Sequence, residues 1–292
     1  MILHKQGTFE GAGGVPLFCQ SWHPTGETRA IFIIVHGLGG HSDLYGNIIQ
    51  HLVPKGYAIY TYDHRGNGRS PGQRGYINSW DEFRQDLKAF LHFVETEELE
   101  IPRFLLGHSM GGLIVLDYVL RYPKENLQGV IALAPALTVG VSPLRMIIGK
   151  ALSKLMPRFS LSLGIKLSKA TRDKKVLAAY AQDSLRHNKA TSRLAAQFLY
   201  TADWVQINAD KLQHPLLILH GGADEVTLPQ GSRDFIQKVF FADKQLKEYP
   251  ESYHEIQDDF GHEEVIKDLE EWLEKHILSP ITVKSLKNPI LG

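Results

Sequence analysis

At 292 residues, with 43% hydrophobic and 22% charged residues, the chain has the composition of a folded globular protein and not of a disordered one. Lys plus Arg (32) balances Asp plus Glu (32), so no global positive field indicates nucleic acid as a partner. The N-terminus lacks the apolar core of a signal peptide, and no apolar run approaches the ~18 residues of a membrane span. These features predict a soluble cytoplasmic protein and leave peripheral contact with a membrane open.

Strand-like and helix-like segments alternate along the chain, which predicts an α/β fold with a mostly parallel central sheet flanked by helices on both faces. The predicted strands are residues 8–12, 15–22, 30–35, 57–62, 104–106, 130–134, 216–219 and 245–249. The predicted helices are residues 43–52, 79–94, 113–120, 232–239 and 263–276, the second of them with Ser79 as its N-cap.

The alternation is interrupted over about residues 138–210, which contain three or four helix-like segments and no convincing strand. Ligands enter open α/β sheets at the carboxyl ends of the strands. An insertion of this length between two strands is therefore best interpreted as a helical cap over the substrate site. We predict a core formed by residues 1–137 and 211–292 and a cap formed by residues 138–210.

The segment 107–111 reads Gly-His-Ser-Met-Gly and lies between a strand-like and a helix-like run. A serine hydroxyl becomes a useful nucleophile when a sharp strand-to-helix turn exposes it beside a base. Glycines suit such a turn, because side chains there would collide with the neighbouring strand and helix. The pentapeptide alone is expected in roughly one chain in ten of this size. Its context and its partners must therefore support Ser109 as the nucleophile.

An acid and a histidine follow two later strands, as Ser109 follows an earlier one. Asp224 comes after the strand 216–219 through a Gly-Gly-Ala loop that can present a carboxylate. His254 lies in the loop after the strand 245–249. The chain order Ser, Asp, His, with each residue at a strand end, is that of one class of serine hydrolases. It predicts a catalytic triad of Ser109, Asp224 and His254.

Other side chains compete for the acid and base positions. Glu225 is the alternative acid, in which case Asp224 is a plain turn residue. His262 and His276 also lie beyond the acid. His262 opens a predicted helix, where it should face solvent or a neighbouring carboxylate. His276 ends the same helix, where a cation favours the helix dipole. His254 alone lies in a loop after a strand, so we prefer it as the base.

Residues 36–40 read His-Gly-Leu-Gly-Gly and follow the strand 30–35. In a serine hydrolase of this kind that loop supplies one backbone N–H of the oxyanion hole, and the residue after the nucleophile supplies the other. We assign these donors to Leu38 and Met110; the alternative is a mere Gly-rich turn. The chain lacks a P-loop, a complete dinucleotide fingerprint and a metalloprotease-spaced histidine pair, so we predict no cofactor and no metal.

Five segments together carry a family resemblance: HGLGGHS at 36–42, DHRGNGRSPGQRG at 63–75, GHSMGG at 107–112, GGAD at 221–224 and YHEI at 253–256. With them the chain resembles the α/β-hydrolase superfamily, and within it the monoacylglycerol lipase and lysophospholipase-like branch. The resemblance implies an α/β-hydrolase fold with a helical cap. It also implies cofactor-free hydrolysis of small-molecule carboxylic esters that carry a single acyl chain.

The resemblance leaves two questions open. Members that handle monoacylglycerol often carry a glutamate where Gly40 stands, near the glycerol site, so the alcohol half of the substrate is undetermined. The shared triad chemistry also allows a peptidase or an acyltransferase of the same fold. A ligand-binding hydrolase fold that has lost catalysis is a further alternative, but the presence of all three triad residues argues against it.

The first part of the predicted cap combines cations with an apolar stripe. Between residues 145 and 175 the only acidic residue is Asp173, while the basic residues are Arg145, Lys150, Lys154, Arg158, Lys166, Lys169, Arg172, Lys174 and Lys175. The apolar residues of the stripe are Leu144, Ile148, Leu152 and Leu155. An exposed stripe beside cations would bind an anionic membrane. Alternatively, the stripe packs inward and the lysines form only a solvated face. The apolar residues, together with Ile147, could also line a tunnel toward Ser109.

Overall fold

A mostly parallel sheet of eight strands lies at the centre of the computed structural model, which describes residues 2–98, 101–138, 151–162, 164 and 166–277. The described strands are β1 (Leu3–Gly11), β2 (Val15–His23), β3 (Ala30–Val35), β4 (Tyr57–Tyr62), β5 (Arg103–His108), β6 (Gly129–Leu133), β7 (Ser160–Ser162), β8 (Lys189–Thr191), β9 (Leu216–Gly221) and β10 (Lys244–Tyr249). The large sheet has the order β1-β2-β4-β3-β5-β6-β9-β10. Within this sheet, as described, only the β1–β2 and β2–β4 pairs are antiparallel, so the predicted mostly parallel sheet is confirmed.

Helices connect the parallel strands. The described α-helices with complete bounds are α1 (Gly46–Leu52), α2 (Asp81–Glu97), α3 (Met110–Arg121), α4 (Lys174–Gln182), α5 (Ser192–Ile207), α6 (Pro229–Lys238) and α7 (His262–Ile277). The prediction that Ser79 caps α2 is wrong, because the N-cap position is held by Trp80 and carries no side-chain hydrogen bond. The turn before the helix is fixed instead by Glu82, whose carboxylate accepts hydrogen bonds from the backbone and side chain of Asn78.

Two hydrophobic cores cover the two faces of the sheet. Successive residues of β3 alternate between them: Ile31 and Ile33 pack in one core, Phe32 and Ile34 in the other. The first core also takes side chains from α2, α3, α5 and α6, and the second from α1 and α7. Because both faces of β3 are buried, the strand is a continuous apolar run without the alternation of a half-exposed strand.

The residues inserted between β6 and β9 are called the insert below. Their described part contains helical residues 151–155, α4 and α5, and also an antiparallel pair of short strands, β7 and β8. The expectation that this region holds no strand is therefore wrong. Each of the two strands has three residues, too few to leave an alternating pattern in the sequence. The predicted stripe residues Leu144 and Ile148, the possible tunnel residue Ile147, and the cations Arg145 and Lys150 lie outside the described residues.

Two glycines of the sheet domain allow the insert to approach closely. The His187 N–H donates to the Gly39 carbonyl (3.1 Å), and the Thr191 N–H donates to the Gly75 carbonyl (2.9 Å). Both glycines have positive φ angles, and a Cβ on either would overlap the backbone of the insert, at His187 and Lys189 respectively. The segment around β8 is therefore fixed to the core by backbone contacts.

The insert also contacts the loop that carries His254. The N–H of Glu255 donates to the carbonyl of Ala170 (2.7 Å). The buried Asp259 carboxylate accepts hydrogen bonds from the backbone N–H (2.8 Å) and the Nε (3.0 Å) of Arg172. The position of this loop thus depends on the insert. In the described part of the chain, no helix combines the length and apolarity needed to cross a bilayer.

Candidate active site

Ser109 occupies the tight turn between β5 and α3. Its backbone has φ 56° and ψ −120°, a conformation that residues other than glycine rarely adopt. The turn is held by a hydrogen bond from the Ser109 N–H to the Leu133 carbonyl (2.9 Å). A Cβ at Gly107 would overlap the Gly111 carbonyl, and a Cβ at Gly111 would overlap the Val35 carbonyl. The segment 107–111 therefore forms a strained strand-to-helix turn, as its sequence predicts.

The loop after β3 runs against this turn. A Cβ at Gly37 would lie 2.9 Å from the Cβ of Ser109, so the loop backbone passes beside the serine. The loop is fixed in turn by a hydrogen bond from the Gly39 N–H to the side-chain oxygen of Asn67 (3.2 Å). A loop backbone held in this way suits N–H donors of an oxyanion hole, which must already be in position when negative charge develops on the substrate oxygen.

The two donors predicted for the oxyanion hole lie at this junction. Leu38 belongs to the loop after β3, and Met110 is the first residue of α3, whose first N–H groups have no partner within the helix. No backbone carbonyl in the described part of the chain accepts a hydrogen bond from the N–H of Leu38 or Met110. Among the described residues, neither N–H group is thus committed to a backbone acceptor, as the predicted role requires.

His254 and Asp224 are in direct contact. His254 Nδ1 donates to Asp224 Oδ2 over 2.7 Å, and Asp224 Oδ1 accepts the N–H groups of Val226 (2.7 Å) and Thr227 (3.0 Å). The Thr227 hydroxyl donates to Oδ2 (2.8 Å), and His220 Nε2 lies 3.3 Å from the same oxygen. Thr227 and His220 were not predicted as site residues, although both stand within four residues of the predicted acid. Together these groups fix the orientation of the carboxylate.

The electrostatics of this pair suit a base at neutral pH. Burial works to raise the pKa of Asp224, but the charge of His254 and hydrogen bonds from His220 and His254 outweigh it, so the pKa lies well below its usual range. Burial works to lower the pKa of His254, but the charge and hydrogen bond of Asp224 outweigh it and raise the pKa above 6.5. An ionised carboxylate can only accept, which fixes the proton of neutral His254 on Nδ1 and leaves Nε2 free as a base.

The competing side chains are placed elsewhere. Glu225 is exposed and pairs with Lys169. His262 begins α7, with its Nδ1 3.0 Å from the Asp259 carbonyl, and His276 stacks on Trp272 at the end of the same helix. The structure therefore pairs Asp224 with His254. Glu225 does not contact this histidine, and His262 and His276 do not contact this acid.

A cavity of about 370 Å³ opens over Ser109 and His254. One part of its lining is apolar and includes Leu38, Leu44, Leu167, Ala170 and Val226. Another part is polar and includes His108, Asp183, Arg186, His187 and Glu255. Leu152 and Leu155, two of the predicted stripe residues, are not among the lining residues. In the described residues no group of three or more His, Cys, Asp or Glu side chains is placed to hold a metal ion.

Comparisons with known proteins show the family to which the chain belongs. Residues 26–260 match the family described as serine aminopeptidase S33 (Hydrolase_4). The chain is 32% identical over 276 residues to the monoacylglycerol lipase of Mycolicibacterium smegmatis, a match that covers 94% of this chain and 98% of the relative.

Solved structures of such lipases share the fold. The monoacylglycerol lipase of Paleococcus ferrophilus superposes with a TM-score of 0.79 at 30% identity, covering 94% of this chain and 99% of that one. A soluble variant of the Saccharomyces cerevisiae monoglyceride lipase, solved with a substrate analogue, superposes with a TM-score of 0.83 at 28% identity, covering 92% and 94%. These matches confirm both the α/β-hydrolase fold and the predicted resemblance. The chain belongs to the serine aminopeptidase S33 family of α/β-hydrolases, in the branch of the monoacylglycerol lipases.

Proposed function

We propose that this protein is a monoacylglycerol lipase-type serine esterase in which Ser109, His254 and Asp224 form the catalytic triad. The observation that carries the proposal is the 2.7 Å contact between His254 and Asp224 at a cavity that both His254 and Ser109 line. The relatives support the class of reaction, hydrolysis of a carboxylic ester. The absence of a cofactor motif in the sequence agrees with chemistry performed by side chains alone.

In the proposed mechanism His254 Nε2 takes the proton of the Ser109 hydroxyl as the oxygen attacks the ester carbonyl. The N–H groups of Leu38 and Met110 stabilise the resulting oxyanion, and losing one such donor typically slows turnover ~10²–10³-fold. His254 then passes the proton to the leaving alcohol, and an acyl-enzyme remains on Ser109. Water, activated by the same imidazole, releases the fatty acid. Asp224 orients the imidazole and stabilises its protonated form throughout.

We further propose that residues 138–210 act as a cap that closes the cavity. Its described residues supply about half of the lining, among them Leu167, Ala170, Tyr180, Arg186 and His187. A cavity with an apolar part suits an acyl chain, because each buried methylene contributes roughly 0.8 kcal/mol. That the protein is cytoplasmic stays a prediction from its sequence.

The first test is a substrate panel for the purified protein. We expect hydrolysis of monoacylglycerols and of p-nitrophenyl esters, with kcat/KM rising with acyl length until the apolar part of the cavity is filled. Lysophospholipids and aminoacyl amides complete the panel. Cleavage of aminoacyl amides without cleavage of esters would favour the peptidase alternative, and turnover of neither would favour a non-catalytic fold.

A second proposal concerns the surface of the insert, which we propose contacts an anionic bilayer. Four large apolar side chains are exposed close together in the sequence: Leu155 (81%), Met156 (51%), Phe159 (42%) and Leu167 (37%). Lys154 and Lys166 stand beside them and are exposed. Arg158 is less available, because its guanidinium lies over the Tyr76 ring. Exposed apolar side chains beside cations are typical of surfaces that rest on anionic lipid.

We expect the double variant Lys154→Glu and Leu155→Ser to bind vesicles of phosphatidylglycerol and phosphatidylcholine several-fold more weakly than the wild type. The leucine contributes apolar burial, and each lysine contributes on the order of 1 kcal/mol near an anionic surface. Co-sedimentation measures the effect, with turnover of a short soluble ester as a check on folding. The matched control is Ile207→Ser, which removes an equally exposed apolar side chain (78%) at the end of α5. Equal sedimentation of all three proteins would leave the exposed residues as a solvated face.

A further inference from the structure

The polar part of the cavity contains an ion pair that the proposed mechanism does not use. Arg186, from the insert, places its Nη2 3.7 Å from Oε1 of Glu255, the residue after His254. Oε2 of the same carboxylate lies 3.7 Å from Nε2 of His108, the residue before Ser109. Both distances are too long for a direct hydrogen bond. Glu255 therefore lies between Arg186 and His108, next to the reacting residues, and makes no direct hydrogen bond to either of them.

Hydrogen-bonding capacity is left over at this place. The Nη1 atom of Arg186 and the Nε2 atom of His108 are buried and have no hydrogen-bond partner among the described residues. The guanidinium is held in position by stacking on the Tyr180 ring, 4.0 Å from its centroid. Buried polar atoms without partners are uncommon in folded proteins, and a bound molecule is one way to satisfy them.

The charges around this place balance. Burial works to raise the pKa of Glu255, but the neighbouring His108 and Arg186 outweigh it and lower the pKa, so the carboxylate faces the guanidinium as an anion. Burial lowers the pKa of His108 to about 4, so its ring is neutral at pH 7. The other acidic lining residue, Asp183, is paired with His41 over 2.7 Å. A head group with a net charge would find no unmatched counter-charge here.

A hydroxyl group, by contrast, can donate to Glu255 and accept from Arg186 at the same time. The leaving alcohol takes its proton from His254, so the alcohol half of the substrate must lie on the His254 side of the cavity, where Glu255 stands. We propose that Arg186 and Glu255, with His108, bind the free hydroxyls of a neutral polyol ester such as a monoacylglycerol. This inference rests on the proposed esterase function, and it assigns the alcohol half of the substrate that Gly40 left open.

The test compares two esters of one acid, monodecanoylglycerol and methyl decanoate, which differ only in the polyol. We expect Arg186→Met to lower the ratio of their kcat/KM values about tenfold or more, as for the loss of hydrogen bonds from a charged group. Arg186→Lys, which keeps the charge opposite Glu255 but loses the planar fork, should lower the ratio less. The matched control is Arg233→Met, which breaks an exposed ion pair with Glu248 and should leave the ratio unchanged.

A second measurement uses glycerol itself as the probe. Glycerol should inhibit methyl decanoate hydrolysis competitively, with an inhibition constant about tenfold higher in Arg186→Met than in the wild type. Titration of active sites with a fluorophosphonate restricts both measurements to folded enzyme. If the ratio and the inhibition constant are the same in the wild type and both Arg186 variants, the proposal is wrong while the esterase function stands. If the wild type hydrolyses neither ester, the proposed function fails and this inference fails with it.

Discussion

Replacing Ser109 by Ala is expected to abolish ester hydrolysis while the protein stays folded. The hydroxyl is the proposed nucleophile, and removing a triad nucleophile typically costs on the order of 10⁶-fold in turnover. Alanine at this position keeps the Cβ that the positive-φ turn already accommodates, so the hydroxyl alone is lost. The measurement is hydrolysis of p-nitrophenyl esters, together with labelling by a fluorophosphonate probe.

The wild type should be labelled by the probe and Ser109→Ala should not. The matched control is Ser79→Ala, since that serine precedes α2 and does not cap it; its labelling and turnover should equal those of the wild type. Circular dichroism checks that both variants keep the fold. Undiminished labelling of Ser109→Ala would place the nucleophile elsewhere in the chain.

The second large effect is expected for Asp224→Asn, which should lower kcat by on the order of 10⁴-fold. The carboxylate oxygen Oδ2 accepts from His254 and Thr227. An amide nitrogen in its place would present a donor to donors and favour the histidine tautomer with its proton on Nε2, which cannot act as the base. The matched control is Glu225→Gln, which removes an exposed carboxylate one residue away and should be near wild type.

The pH dependence provides an independent check on the same pair. In the wild type, kcat/KM should fall as the pH falls through the raised pKa of His254, above 6.5, because the protonated imidazole cannot accept the serine proton. In Asp224→Asn the opposing influence of burial remains while the carboxylate is gone, so the acid limb of the residual activity should move to lower pH. An acid limb that is unchanged in position in Asp224→Asn would contradict the assignment of this acid.

The elements predicted most accurately from the sequence are those whose structure is decided by a local pattern. β3 and β4 were predicted to the residue, because both are apolar runs buried on both faces and bounded by turn residues. The turn at Ser109 was predicted as well, since the steric need for glycine at 107 and 111 is a local property. The same holds for the loops that bring Asp224 and His254 to strand ends.

Features that depend on distant parts of the chain were not predicted. The β7–β8 pair joins two three-residue segments on either side of α4, and neither segment has a pattern of its own. The pair of Arg186 and Glu255 joins the insert to the core, and nothing local to either residue indicates the other. Even the start of α2 departs from the N-cap rule, because backbone carbonyls of Ser79 and Trp80 accept the N–H groups of Glu82 and Phe83 that a side-chain cap would otherwise serve.

The contacts between the insert and the loop that carries the base have a consequence for protein engineering. Ala170 and Arg172 hold the backbone and the carboxylate of the segment 255–259, directly after His254. A chimaera whose insert has no counterpart of Arg172 would lose the contacts to Asp259, and with them part of what positions the loop that carries the imidazole. The transferable unit is therefore the insert together with the segment 254–259. A graft of such an insert alone is expected to change the rate of catalysis together with the choice of substrate.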